Sequence, residues 1–313
     1  MAGIKNKNVL VLVGPTCSGK SSVGFLLAKE LNGEIISADS RQIYKYLDIG
    51  TAKPPVQERK KVTHHFIDEL LPEHDFNAGE FSNQARERVD TIFESGKQPI
   101  VVGGSGLYIQ AFIDGFFEGP SADKEVRDEI YKVLDKNGKE GLLEELRKVD
   151  PLSASRMLPS NLHRIIRALE VYKVTGTPIS ELQKINIPPN FQSVLVGLQW
   201  DRSKLYERIN ERVDGMLNSG LLNEVKSLVE KGYSTKITSL RTVGYQEVFQ
   251  FFEGKISYDY MVELIKRNSR RYAKRQLTWF RRDERIKWFE MSTEVDFNRI
   301  SKEIISYFGN ISG

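Results

Sequence analysis

The run Asn8-Val9-Leu10-Val11-Leu12-Val13, continued directly by Gly14-Pro15-Thr16-Cys17-Ser18-Gly19-Lys20-Ser21, decides the fold. After Asn8, five apolar residues without a polar break suit a strand buried on both faces, as in a parallel sheet. The following eight match G-x-x-x-x-G-K-[ST], and Ser21–Leu31 then reads as a helix stopped by Asn32-Gly33. Strand, loop and helix in this order form a phosphate cradle. The glycines let successive N–H groups converge on one anion, and the helix start adds its positive end. Lys20 supplies a point charge, and the Ser21 hydroxyl is the expected Mg²⁺ ligand. Gly14, Pro15, Thr16, Cys17, Ser18, Gly19, Lys20 and Ser21 are therefore the expected phosphate-binding residues, whether for a diphosphate or a triphosphate. Cys17 reads as a small residue filling a tight turn, since no general base stands beside it.

Outward from the cradle, Glu34–Ser37 and Gln98–Val102 read as further strands, with Phe81–Ser95 helical between them. Alternation of this kind predicts an α/β fold: a P-loop NTPase-like parallel sheet flanked by helices. From Asp123 to Gln183 every pattern is helical, punctuated at Asn137-Gly138, Asp150-Pro151 and Gly176-Thr177-Pro178. Ile187-Pro188-Pro189-Asn190 reads as a linker, after which Val194–Gln199 and Ile286–Glu290 resume the sheet. The expected organisation is a catalytic core from 1–119 and 191–313 around an all-helical insertion at 120–190.

The 313 residues are 40% hydrophobic and 28% charged, with no apolar run approaching the ~20 residues of a membrane span. Met1–Asn8 is short and polar, unlike a secretory signal, so a cytoplasmic enzyme is expected. A single cysteine excludes an internal disulfide and any cysteine-rich zinc module. His64-His65 and His74 lack such company, and Thr63–Asp68 reads as a strand end. The net charge of +4 is uneven. Lys266 to Phe289 holds ten Lys/Arg and two acids, so it carries +8 and the rest carries −4. A basic segment on a slightly acidic body points to a polyanion or, more blandly, to a solvated helix face.

The cradle does not say which phosphate chain it holds. An NTPase strand ending in a metal-binding Asp is expected nearby. The candidate strand ends instead in Gly103-Gly104-Ser105-Gly106. Asp39, just past the second strand, falls where parallel sheets gather ligands, although a turn or helix cap is the simpler reading.

Asp39-Ser40-Arg41-Gln42-Ile43-Tyr44, followed by Asp48-Ile49-Gly50-Thr51-Ala52-Lys53-Pro54, resembles the tRNA dimethylallyltransferase (tRNA isopentenyltransferase) family. The likeness continues through Gly103-Gly104-Ser105-Gly106-Leu107-Tyr108, Arg164–Glu170, Thr242-Val243-Gly244-Tyr245 and Arg270–Phe280, covering nearly the whole chain. It implies transfer of a dimethylallyl group from dimethylallyl diphosphate to the exocyclic amine of the adenosine 3′ of the tRNA anticodon. The implied catalytic residues are Asp39, Lys20, Ser105 and Arg241. Asp39 is the general base, Ser105 a hydrogen-bonding partner of the same adenine, and Lys20 and Arg241 stabilise the leaving diphosphate. For Arg241 a helix cap or surface charge is the alternative.

The implied tRNA-binding set is Asp39, Ser40, Arg41, Gln42, Ser105, Arg127, Asn161, Leu162, His163, Arg164 and Ile165. Gln42 would read base edges, and Arg167 beside His163 and Arg164 would face an anion. Arg127 reads equally as a surface salt bridge. Lys266/Arg267, Arg270/Arg271 and Lys274/Arg275 are spaced as one positive stripe on a helix. Trp279 and Phe280 suit core anchoring better than base stacking. The expected partners are tRNA and dimethylallyl diphosphate, with Mg²⁺ as cofactor, no membrane, and a monomer. The competing readings are a P-loop small-molecule kinase or ATPase, an RNA-binding module with a nucleotide switch, and a prenyltransferase acting on free AMP.

Overall fold

The computed structural model describes residues 7–115, 119–120, 123–184, 187–293 and 296–312; most of the polar start, residues 1–6, lies outside them. Its six strands are β1 (Asn8–Val13), β2 (Gly33–Ala38), β3 (His64–His65), β4 (Gln98–Gly103), β5 (Gln192–Trp200) and β6 (Lys287–Met291). They form one sheet in the order β3-β2-β4-β1-β5-β6, and every pair is parallel. All carboxyl ends therefore lie on one side, where this class of sheet places its ligands.

Val9 to Val13 are fully buried, and the period of two divides them between two cores. Val9, Val11 and Val13 join a cluster with Phe81, Phe112 and Tyr245. Leu10 and Leu12 join another with Leu27, Leu198 and Ile304. Helices therefore cover both faces, which explains why β1 carries no polar alternation. The helix after the cradle spans Lys20–Glu30, and Asn32 turns the chain into β2 with a left-handed φ of 49°. The helix between β3 and β4 starts at Ala78, earlier than the periodicity predicts. Asn77 and Glu80 make a reciprocal capping box there. Among the described residues, no helix is long and apolar enough to cross a membrane.

The chain divides into two compact units, Met1–Ile113 with Pro189–Gly313, and Asp114–Pro188. Among its described residues the second has helices only: Lys124–Val149, Pro151–Ser155, Leu162–Thr175 and Ile179–Leu182. The break expected at Asn137-Gly138 is a left-handed Gly138 (φ 69°) inside the first of these helices. Pro151 opens its helix behind an Asp150 cap, and a left-handed Gly176 closes the Leu162–Thr175 helix.

In the core of this unit Ile130, Leu142, Leu146, Ile165 and Leu169 pack together. The carboxylate of Glu170 is buried among them and accepts from three sources. Arg127 donates through Nε and Nη2 at 2.7 and 3.2 Å, Arg167 through Nη1 at 2.7 Å, and the Asp123 amide at 3.0 Å. Arg127 is thus in an ion pair, although with a buried partner rather than at the surface as expected. Arg167, expected to face an anion freely, is instead tied to Glu170 and to the Pro120 carbonyl.

Replacing Glu170 by Gln removes the charge that both guanidiniums share. Each retains some solvent access, so a loss of about 2–3 kcal/mol is expected, seen as a lower melting temperature. An unchanged melting temperature would mean that this cluster does not brace the helical unit.

Candidate active site

Ladder register brings the loop and the second-strand acid together. Val13 at the end of β1 and Ala38 at the end of β2 both pair with Gly103 of β4. Gly14 and Asp39 therefore leave the sheet at one level, two strand spacings apart, roughly 10 Å. The loop's turn depends on Gly19, whose φ is 84°, and Cys17 also takes a left-handed φ of 64°. The Lys20 ammonium folds back onto the Pro15 carbonyl at 3.2 Å.

Three side chains distant in sequence donate to the loop from outside. Trp200 Nε1 donates to the Ser18 carbonyl at 2.9 Å. Arg208 Nε donates to the Cys17 carbonyl at 3.0 Å, and its guanidinium lies 4.4 Å from the Trp200 ring centroid. Arg212 Nη1 donates to Thr16 Oγ1 at 2.8 Å and approaches Cys17 Sγ at 3.5 Å. Both arginines lie on the Arg202–Asn218 helix that follows β5, four residues apart on one face. That spacing, directly behind the carboxyl end of a parallel strand, was the available sequence signal for them.

A cavity of about 570 Å³ opens over the loop. Its lining includes Thr16, Cys17, Gly19, Lys20 and Ser21, then Asp39, Ser40, Arg41 and Gln42. Among the described residues its cations are Lys20, Arg41, Arg208, Arg212, Arg241 and Arg275, and Asp39 is its one carboxylate. Six positive groups facing one negative group suit a ligand with several negative charges. Burial pushes the Lys20 ammonium down to about 8, against the pull of Asp39; Arg212 pushes the same way. Burial, then the Asp39 carboxylate, pushes the Tyr272 hydroxyl on the cavity wall up to about 12.

Asp39 Oδ1 accepts the Arg41 amide at 2.9 Å, so one carboxylate oxygen closes an Asx turn. Ser105 Oγ accepts the Ser40 amide at 3.1 Å, and the Ser105 amide donates to the Ala38 carbonyl at 3.2 Å. The hydroxyl is thereby fixed beside Asp39, with its own proton still to donate. Gln42 is buried. It accepts from Ser37 Oγ at 3.1 Å and donates to the Thr51 and Ala52 carbonyls at 3.2 and 3.3 Å. Its amide braces the neighbouring loop rather than standing ready at a base edge. That loop is in turn capped by Glu224, which accepts the amides of Asp48, Ile49 and Gly50 and the hydroxyl of Tyr245.

Arg241 lies on the exposed rim, where Nε and Nη2 hold the Thr235 and Lys236 carbonyls at 2.8 and 3.2 Å. It terminates a short 3₁₀ turn, Thr238–Leu240, so the cap reading applies as well. Arg208 and Arg212 make the direct hydrogen bonds to the loop. Of the helical-unit candidates, His163 and Arg164 are exposed. Asn161 spends its side-chain carbonyl on the Leu158 amide, Leu162 packs on the core, and Ile165 is fully buried.

The basic helix spans Tyr258–Phe280. Its cations divide between two faces. Lys266 pairs with Asp214 at 2.6 Å and Arg270 bonds Asn210 at 2.6 Å, whereas Arg271, Lys274 and Arg275 are exposed. Phe280 is core, as expected. Trp279 is 40% exposed and covers Gly106, where an added Cβ would meet its ring at 2.3 Å.

Residues 42–283 match the family model described as IPP transferase. The tRNA dimethylallyltransferase of Carboxydothermus hydrogenoformans is 46% identical over 97% of this chain and 98% of its own. That of Pelotomaculum thermopropionicum is 45% identical over 96% of each. Among solved structures, the full-length tRNA isopentenylpyrophosphate transferase of Bacillus halodurans superposes with a TM-score of 0.71 at 37% identity, covering 97% of both chains. A eukaryotic dimethylallyltransferase acting on tRNA superposes with a TM-score of 0.81 at 29% identity, covering 95% of this chain and 78% of its own.

An anion reaching the loop favours a charged Lys20, which is about half protonated near pH 8 without ligand. Affinity for inorganic diphosphate should therefore fall as pH rises through about 8. Calorimetry from pH 7 to 9.5, compared with Lys20→Arg, checks this, because Arg stays charged throughout. The same pH dependence in both proteins would acquit Lys20.

Proposed function

We infer the roles of individual residues from one premise: this chain belongs to the IPP transferase family and is a tRNA dimethylallyltransferase. The observation that carries the assignment of roles is a cavity over the P-loop in which, among the described residues, six cations face a single carboxylate.

Dimethylallyl diphosphate seats its two phosphates in the loop from Gly14 to Ser21. Lys20, Arg208 and Arg212 meet the charge that develops as the allylic carbon–oxygen bond breaks. Arg241, on the rim, supplies a further cation where donor and RNA meet. The acceptor is the exocyclic nitrogen of the adenosine 3′ of the anticodon. Its lone pair is delocalised into the ring, so it must shed a proton as the nitrogen–carbon bond forms. Asp39 takes that proton through the oxygen not used by its turn, while the Ser105 hydroxyl holds the same base from beside it. Diphosphate departs with the bonding electron pair, and charge balances.

Mg²⁺ fits the donor set on one condition. Among the described residues no three acidic, His or Cys side chains form a cage, but Ser21 offers a hydroxyl at the cavity. This is the pattern of an ion held by one protein oxygen and the substrate's phosphates. Bound there, it would neutralise phosphate charge.

An adenine stacked in an anticodon loop must leave the stack to reach this cavity. Arg271 and Lys274 are placed to neutralise phosphates of the RNA while the base enters. Ser40 and Arg41 lie beside the entering base, and Gln42 shapes its pocket from behind. The helical unit from about 120 to 190 adds His163 and Arg164 as exposed contacts, with Asn161, Leu162 and Ile165 forming the turn that presents them. Arg127 braces Glu170 and keeps part of its guanidinium in solvent for the same RNA. We expect a cytoplasmic monomer.

Incubating the protein with labelled dimethylallyl diphosphate and total tRNA should label the tRNA without ATP. Asp39→Asn retains an acceptor for the Arg41 amide but cannot take the proton. Its kcat should fall roughly 10²-fold or more with KM values little changed. Near-normal turnover in this variant would leave Asp39 as a turn residue only.

Neutralising Arg271 and Lys274 together should weaken tRNA binding and flatten the plot of log K against log salt by about 1.5. Nitrocellulose-filter binding across salt concentrations measures this, and an unaltered slope would remove the stripe from the interface.

A further inference from the structure

One side chain joins the basic helix to the phosphate loop. Gln276 is buried on the inner face of the Tyr258–Phe280 helix. Its Oε1 accepts the Thr16 amide at 2.8 Å, and its Nε2 donates to the Gly104 carbonyl at 2.9 Å. The two partners fix the amide's orientation, since a flip would set oxygen against oxygen and donor against donor. The fit is close: an added Cβ on Gly104 would lie 2.4 Å from Nε2. On the same helix, the neighbouring Arg271 and Lys274 are exposed, and Arg275 is exposed at the cavity.

In a phosphate loop every peptide plane matters, because the anion is held by where the N–H groups aim. The Thr16 N–H aims outward, at Gln276. That bond sets the tilt of the peptide between Pro15 and Thr16 and so the direction of the amides after it. The helix that provides the acceptor is the one that presents cations to RNA. It is also tied, through Lys266 to Asp214 and Arg270 to Asn210, to the helix whose Arg208 and Arg212 grip the loop.

We propose that Gln276 is a positioning residue through which RNA on the basic helix and diphosphate in the loop are energetically coupled. This rests on the function proposed above. RNA that immobilises the helix takes over part of the ordering cost that diphosphate otherwise meets alone. By linkage, diphosphate must tighten RNA binding by the same factor. Direct repulsion between the two anions opposes this. It is common to the native protein and to any neutral variant at 276, so the difference between them isolates the contribution of the side chain.

The test measures the Kd of inorganic diphosphate with and without saturating anticodon stem-loop RNA, in the native protein and in Gln276→Met. Methionine keeps the volume and loses both hydrogen bonds. The native protein should bind diphosphate several-fold more tightly with RNA present, within the roughly 5- to 150-fold usual for coupled sites. In Gln276→Met the ratio should drop to about one or below, with RNA affinity alone unchanged and the donor KM raised more than kcat is lowered. Gln276→Ala, read in the same way, guards against a misfolded first variant. Equal ratios in native and variant proteins would overturn the proposal, as would a native protein that binds both ligands with no positive coupling. A native protein that binds no diphosphate at all would instead overturn the reading of the loop.

Discussion

The parallel hydrogen-bond ladder that holds β4 between β1 and β2 is the constraint on which the site depends. With Gly103 paired to both Val13 and Ala38, the loop and the acid must leave the sheet at one level. A slip of one residue would turn every side chain of a strand to the opposite core, and both cores are apolar. Burial of Val9 to Val13 therefore specifies more than stability. It sets the distance between the phosphate loop and Asp39.

Gathering six cations around one cavity is unfavourable in the absence of a ligand, and the structure shows how the repulsion is borne. Lys20 rests on a carbonyl and is shifted toward its neutral form. Arg208 spreads over the Trp200 ring and donates to a carbonyl, and Arg241 donates to two more. Carbonyl dipoles hold Lys20 and Arg241 in place. A carboxylate partner would compete with an incoming diphosphate, whereas a carbonyl holds the geometry and leaves the net charge in place.

Local signals in the sequence carried the frame. β1 and its loop are contiguous, and their apolar run and glycine spacing are set by backbone requirements alone. Gly138, Pro151 and Gly176 likewise mark helix breaks because φ or a missing N–H dictates them. What could not be read depends on contacts across the chain. Gln276 meets Thr16 from 260 residues away, and nothing local distinguishes it from a surface glutamine. Arg167 and Gln42 carry polar groups that suit RNA, yet buried partners claim them. Helical spacing placed six cations on one stripe, but the packing of Lys266 and Arg270 against a neighbouring helix divides it.

The turn at Asp39 makes its two carboxylate oxygens inequivalent. One is committed to the backbone of Arg41 and belongs to the scaffold. The other is not engaged by that turn, so the two oxygens differ before any ligand arrives. A carboxylate desymmetrised in this way offers its two oxygens unequally to anything that enters the cavity, and that bias is written into a two-residue loop.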